Sequence, residues 1–348
     1  MGKIKISNPG LLTTVQDLGR YGYQQFGVSV SGTMDYVATR LANILVGNSE
    51  NESLLEITMM GPEIEFLDSA VIAITGGDLQ PVLNDQSIKM NKSILVNSGD
   101  HLTFRGIKNG CRSYIAFAGG IDVPVVMGSK STFLRAKVGG YKGRALKPGD
   151  ILDIDSPNTS LENLAGREIL EDLYGYGSNP IEVRVILGPQ DQAFTQKGME
   201  TFFTSEYTVT NKFDRMGYTL EGEKIEHKEG ADIISDGIAM GAIQVPNQGT
   251  PIIMMADRQT TGGYTKIGNV ITVDLPKIAQ AKPGDKILFR KSSLEEAHQL
   301  IKEQENKIER WNEQLAAPKK EGTRIRNFHL KINGNIYDVK VEELKNEY

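Results

Sequence analysis

Cysteine is almost absent: 348 residues contain one, Cys111. A lone thiol excludes an internal disulfide framework, a CxxC redox pair and a multi-cysteine zinc site. It suits a reducing compartment, so a cytoplasmic protein is expected. Histidine is nearly as scarce, with His101, His227, His298 and His329 scattered along the chain. Neither a histidine metal site nor a Ser-His triad is expected from that spacing, and no metal ligands are assigned. No apolar run approaches the roughly 18 residues that cross a bilayer, and Met1 to Ser7 leads into no apolar stretch of a signal peptide. Positive charge is not in excess: 39 Lys+Arg stand against 44 Asp+Glu, a net charge of −5. That balance argues against nucleic acid as the main partner, because phosphate binding needs a basic face. Two motifs fall short as well. Gly128-Ser129-Lys130-Ser131 lacks the pattern of a phosphate-binding loop, and no serine of Gly27–Gly32 sits where a nucleophile elbow needs it.

Glycine is plentiful, 37 residues, above the usual level of about 7%. Glycines between β-branched runs predict many turns and short strands. The clearest strands are Ala70–Thr75, Ser93–Val96, His101–Phe104, Arg112–Ala118, Glu182–Leu187, Pro251–Ala256, Val270–Val273 and Lys286–Arg290. Ser98-Gly99-Asp100, Pro148-Gly149-Asp150 and Pro283-Gly284-Asp285 each precede an apolar strand, and each reads as a turn with glycine at positive φ. Helical spacing covers Met34–Val46, with Thr33 as a plausible N-cap. A Pro- and Gly-bearing connector, Ser156–Asn179, marks a lobe boundary. The expected organisation is therefore an N-terminal β lobe (1–175), a second β lobe (176–291) and a tail (292–348). In the tail, Ser292/Glu295 and Ser293/Glu296 are capping boxes. Leu294, Ala297, Ile301, Ile308, Trp311 and Leu315 then form one apolar stripe, interrupted at Gln304. Ala316–Thr323 reads as a linker, and Arg326–Ile332 and Asn335–Glu342 as a hairpin about Asn333-Gly334.

Polar clusters flanked by glycine are the chemical signal. They are Thr13–Arg20, Ser31–Asp35, Thr75–Asp78, Gly140–Arg144, Asp214–Tyr218 and Asp257–Tyr264. Glycine lets backbone approach a ligand, while Asp, Arg, Gln and Thr supply directed donors and acceptors. A solvated turn closed by an Asp–Arg pair is the competing interpretation of each.

These clusters also carry a resemblance. The stretches Pro9–Asp35, Leu55–Phe66, Ala118–Phe133, Lys212–Gly222, Ser235–Ile271 and Ala279–Asp285 resemble, in order, the allophanate hydrolase subunit 2 family. The resemblance implies a mainly β fold of two cyclophilin-like β-barrel lobes, here followed by an amphipathic helix and a hairpin. It implies the C component of an ATP-dependent enzyme complex, a 5-oxoprolinase, that hydrolyses the cyclic amide of 5-oxoproline to glutamate, with ATP and Mg2+ as co-reactants. The implied partners are the B component, of the allophanate hydrolase subunit 1 family, and the A component of the same complex. Other members imply alternatives: a carboxyltransferase component of a urea carboxylase-like system working with biotin on another chain, or a regulatory protein antagonising its homologue of the B component. Asn327–Leu344 resembles the opening hairpin of a biotinyl or lipoyl carrier domain. One departure is Gly77, where the family usually has Ala, a change expected to alter a pocket lining only slightly.

For such chemistry Asp35 and Asp257 are the candidate catalytic acids or magnesium ligands. Arg20, Arg144 and Arg215 are candidate anion binders, and Gln259, Thr260 and Tyr264 candidate contacts to an amide or ureido edge. The segments around Asp35, Arg215 and Asp257–Tyr264 are expected to share one cleft at the lobe junction. Substitution of Arg215 or Asp257 is then expected to spare stability.

Overall fold

The structure, a computed structural model, describes residues 2–170, 178–316, 325–332 and 335–342. The expected lobe boundary at 175/176, most of the Ala316–Thr323 linker and the Asn333-Gly334 turn lie outside the described residues.

The first lobe contains two antiparallel sheets. One has six strands in the order Ile151–Ile154, Gly2–Asn8, Glu63–Phe66, His101–Phe104, Pro81–Leu83, Gln86–Ser87. The other has five, Leu12–Gln16, Leu54–Thr58, Arg112–Phe117, Ala70–Gly76, Ser93–Val96. Alternating residues such as Ile4, Ile6, Ile64 and Phe66 from one sheet meet Ile57, Ile72, Ile74 and Ile115 from the other in a single core. Helix α1 (Tyr36–Leu45) covers the outer face of the five-stranded sheet through Val37, Leu41 and Leu45, which meet Val71, Ala73 and Tyr114. That sheet is therefore apolar on both faces, which is why Arg112–Phe117 reads as a continuous buried run rather than an alternation.

The second lobe is a closed barrel in the order Ile181–Leu187, Lys266–Val270, Ala242–Gln244, Ile252–Met254, Gly217–Glu221, Glu206–Phe213, Lys286–Lys291. The last strand returns parallel to the first, pairing Ile181 with Ile287, and this closes the ring. Two further strands, Asp232–Gly237 and Thr261–Tyr264, pair as a separate ribbon.

The three glycine-aspartate turns share one geometry. Gly99, Gly149 and Gly284 have φ of 88°, 86° and 91°. In each, the aspartate amide bonds the carbonyl three residues back, and its carboxylate takes that residue's amide: Asp100 with Asn97, Asp150 with Lys147, Asp285 with Lys282. Positive φ at the third position makes each glycine obligatory in type II geometry.

Two local expectations are corrected. The strand placed at Val270–Val273 ends at Val270, and Thr272–Asp274 is a 3₁₀ turn leading into a short helix, Leu275–Gln280. Asp274 forces the change, because its carboxylate accepts the Arg184 amide at 2.8 Å and the Arg184 guanidinium at 2.8 and 2.9 Å. The N-cap of α1 is Asp35 rather than Thr33: its carboxylate takes the Ala38 amide at 2.9 Å. A long final helix, α2 (Leu294–Ala316), starts behind Ser293, whose hydroxyl accepts the Glu296 amide at 3.1 Å. Although α2 follows the second lobe, Ile308 and Trp311 are buried with α1 of the first. Leu294, read as part of the stripe, is 53% exposed. The break at Gln304 is a polar contact, a hydrogen bond from the Tyr36 hydroxyl, and Glu305 beside it pairs bidentately with Arg40 at 2.6 and 2.7 Å.

Candidate functional site at the lobe junction

Residues 17–35 carry the first lobe onto the second. Gly19 and Gly32 make this possible. They have φ of 115° and 81°, and a Cβ on Gly32 would stand 2.8 Å from the Gly19 backbone. On either side of that crossing, Arg20 N donates to Val30 O and Thr33 N to Asp17 O. The segment then bonds the second lobe: Ser31 N donates to Ala256 O at 3.1 Å, and the Ser29 hydroxyl to Arg258 O. Met34 inserts its side chain into the core of the barrel.

Asp17 fixes the start of this segment. Its carboxylate accepts the amides of Gly19 at 2.8 Å and Lys130 at 2.6 Å, and the hydroxyls of Ser129 and Ser131. The Ser131 amide goes to the Ser129 hydroxyl and the Ser129 amide to Val126 O. The Gly128–Ser131 turn thus has these amides committed inside the protein, with none of the three left for a phosphate.

Below the segment, three charges meet out of solvent. Arg215 donates to Asp257 through Nε at 3.1 Å and Nη2 at 3.0 Å, to Glu56 through Nη1, and to Gly32 O. Glu56 belongs to the first lobe and also accepts the Met34 amide at 2.7 Å. Burial opposes the Arg215 charge, but Asp257 and Glu56 outweigh it and hold the guanidinium above its ordinary pKa. A second buried network lies beside it. Arg112 reaches from the first lobe to bond Tyr218 and Ala279 O of the second. Gln280 reaches back, its Oε1 accepting the Cys111 and Arg112 amides. Gly77 lies beneath this amide, with a hypothetical Cβ 2.8 Å from Gln280 Oε1. The departure from Ala therefore makes a socket for Gln280 rather than adjusting a pocket wall.

The sequence-predicted residues fall into four places. Asp35, Arg215 and Asp257 come to the lobe junction as expected, but buried and bonded to protein: Asp35 caps α1 and accepts Gln280 Nε2, while Asp257 faces Arg215. These two carboxylates share no open cleft. Arg20 is fully buried, with Nε on Val126 O and Nη2 on Ser131 O. Arg144 forms a bidentate pair with Asp150 at 2.6 and 2.7 Å. Gln259, Thr260 and Tyr264 lie at or near the outer ribbon, where Tyr264 faces Asp232 across the strands. Among the described residues, no three His, Cys, Asp or Glu side chains cluster as a metal site.

The open space at the junction is a cavity of about 520 Å³. Leu18, Tyr21, Val30, Ser31 and Thr33 line it from the crossing segment, and Met240, Arg258, Thr272 and Leu275 from the second lobe. Tyr36 and Arg40 of α1, Glu50, and Glu305 of α2 complete the wall. Glu50 and Glu305 both pair with Arg40. Burial, helped by Asp35 and Glu305, pushes the Tyr36 phenol well above its ordinary pKa, so it is a neutral hydrogen-bonding group here. The cavity wall carries two arginines, two glutamates that share Arg40, hydroxyls and apolar surface, and among the described residues no nucleophile hydrogen-bonded to a base. Ser31, Thr33 and Arg258 lay inside the glycine-flanked clusters of the sequence. The sequence pattern points instead to their acidic neighbours, Asp35 and Asp257.

A family model for "Carboxyltransferase domain, subdomain A and B" matches residues 26–291. The chain is 38% identical over 314 residues to the C component of 5-oxoprolinase from Escherichia coli (strain K12), covering 90% of this chain and 97% of that protein. It is 37% identical to the C component of 5-oxoprolinase from Haemophilus influenzae, covering 84% and 92%. The crystal structure of the K. lactis urea amidolyase superposes with a TM-score of 0.82 at 34% identity over 89% of this chain, which spans 20% of that much longer one. The chain belongs to the carboxyltransferase domain A and B family, the allophanate hydrolase subunit 2 family that its glycine-flanked motifs resemble.

Proposed function

We propose that this chain is the C component of a cytoplasmic, hetero-oligomeric, ATP-dependent 5-oxoprolinase that hydrolyses 5-oxo-L-proline to L-glutamate. The observation that carries this reading is the alignment along 97% of the E. coli 5-oxoprolinase C component. The geometry agrees with a component rather than a complete catalyst. The acidic side chains read as catalytic and the arginines read as anion binders are committed to protein partners, and the cavity holds no nucleophile–base pair among the described residues. ATP with Mg2+ is a co-substrate that activates the lactam oxygen. The Gly128–Ser131 turn offers it no phosphate cradle, so the nucleotide belongs on a partner or across an interface between chains. The A and B components are the partners this reading requires. Reconstitution of the chain with its own A and B partners tests it, with glutamate release from 5-oxo-L-proline expected only when ATP and all three chains are present. Release by this chain alone, or none from the full set, overturns it.

The fold match to the K. lactis urea amidolyase supports a second reading, a carboxyltransferase component acting with biotin on another chain. Carboxylation of urea by the reconstituted system with a biotinylated carrier, and no glutamate from 5-oxo-L-proline, would favour it. A regulatory role against a homologue of the B component would appear as tight binding of that protein with neither activity.

A further inference from the structure

Three residues lining the junction cavity have buried side chains that keep unused hydrogen-bonding capacity. The hydroxyls of Ser31 and Thr33, 3% and 5% exposed, have no partner. Arg258, 7% exposed, donates only to the backbone carbonyls of Ile238 and Met255, and among the described residues no carboxylate pairs with it. Each is costly to bury in this state: a hydroxyl loses its water without replacement, and a cation loses more. Burial depresses the Arg258 pKa, only partly opposed by Tyr21. Ser31 also holds φ of 55°, in the left-handed region that a non-glycine residue occupies at a cost.

The backbone explains why the three are neighbours. Ser31 N bonds Ala256 O and the Ser29 hydroxyl bonds Arg258 O, so residues 29–31 lie alongside 256–258. Neither carboxylate of the cavity contacts Arg258: Glu50 and Glu305 both lie on Arg40, which offsets one of their two charges. The remaining walls include Leu18, Val30, Met240 and Leu275. A cation and two free hydroxyls beside apolar walls suit a small organic carboxylate better than a fully hydrated inorganic anion.

We propose that Arg258, Ser31 and Thr33 form the receptor for the carboxylate of a small organic acid. Building on the function proposed above, that group is the ring carboxylate of 5-oxo-L-proline. The guanidinium neutralises the carboxylate and the two hydroxyls donate to its oxygens, while the ring lies on the apolar wall. A cavity of about 520 Å³ leaves room beside so small a ligand for a second reactant.

The test is calorimetric titration of the full chain, and of its complex with the A and B partners, using 5-oxo-L-proline, its neutral carboxamide and inorganic phosphate. The expected result is saturable binding of the acid, at least tenfold weaker binding of the carboxamide, and no competition by equimolar phosphate. Arg258→Gln and the near-isosteric Thr33→Val are each expected to weaken binding of the acid at least fivefold, with thermal melting confirming a folded variant. In the active complex the same variants should raise KM more than they lower kcat. Equal binding of acid and carboxamide, undiminished binding by both folded variants, or no binding by either the chain or the complex would overturn the receptor. The two proposals separate cleanly. Glutamate formation with an unchanged KM in both variants refutes the receptor and leaves the 5-oxoprolinase reading standing. Binding of the acid that is lost in both variants, in a complete complex that forms no glutamate, does the reverse.

Discussion

Gln280 Nε2 donates to the Asp35 carboxylate at 3.0 Å, from the second lobe to the helix cap of the first. The same amide also donates to Arg112 O at 3.0 Å, while its oxygen accepts the amides of Cys111 at 3.1 Å and Arg112 at 3.0 Å. One side chain thus takes the place of a neighbouring strand at the start of Arg112–Phe117. Gln280→Ala strands two amides and part of a carboxylate out of water. A loss of about 3 kcal/mol is expected, from several unsatisfied groups at about 1–3 kcal/mol each. Denaturant unfolding checks it, and a midpoint equal to that of the unaltered protein would show that the seam does not depend on this residue.

Arg215→Ala leaves Glu56 and Asp257 buried without their shared cation. The expected loss is about 3–5 kcal/mol, as for other broken buried ion pairs. This reverses the expectation from sequence that substituting Arg215 spares stability, because the guanidinium is 3% exposed. Thermal melting of the purified variant decides between them.

The Arg144–Asp150 pair supplies a pH test. Two hydrogen bonds from Arg144 hold the Asp150 carboxyl below its ordinary range, against the opposing effect of partial burial. A depressed folded pKa means that the pair stabilises the protein above the unfolded value of about 3.9, and that this is lost as pH falls through the folded value. Asp150→Asn should therefore cost about 1 kcal/mol near neutrality, given partial exposure. The gap to the unaltered protein should close below about pH 4. Unfolding curves at pH 7 and pH 3 measure this, and a gap that stays constant would assign the cost to packing.

Met34→Ala removes a first-lobe side chain from the second-lobe core. A loss of about 2–5 kcal/mol is expected, as for other large-to-small core changes. Hydrogen exchange should show the barrel strands losing protection along with residues 17–35, because one side chain links both. Protection lost in the crossing segment alone would mean that the barrel closes without it.

Local chemistry was legible where the decisive partner lies close in sequence. The turns at Gly99, Gly149 and Gly284 involve four successive residues, and their role followed from residue type alone. The cap at Ser293 spans four residues and was equally plain. Roles set by distant partners were not. Asp35 reads as an acid within a polar cluster, but Gln280, 245 positions away, uses its second oxygen. Asp274 ends a strand because Arg184, 90 positions earlier, claims its carboxylate. Burial inverts the site itself. Arg215 and Arg258 stand in similar glycine-flanked runs, yet one pairs with two carboxylates and, among the described residues, the other pairs with none, a difference that spacing does not encode.

Trp311 is the chain's single tryptophan, and it is 2% exposed on α2 beneath the first lobe's helix α1. The intrinsic ultraviolet emission of this protein is therefore a one-site signal for whether α2 is seated. Circular dichroism averages over both β lobes, whereas the indole registers the contact where the end of the second lobe is strapped across the first. Divergence between the two optical traces would time the release of that strap without any added label.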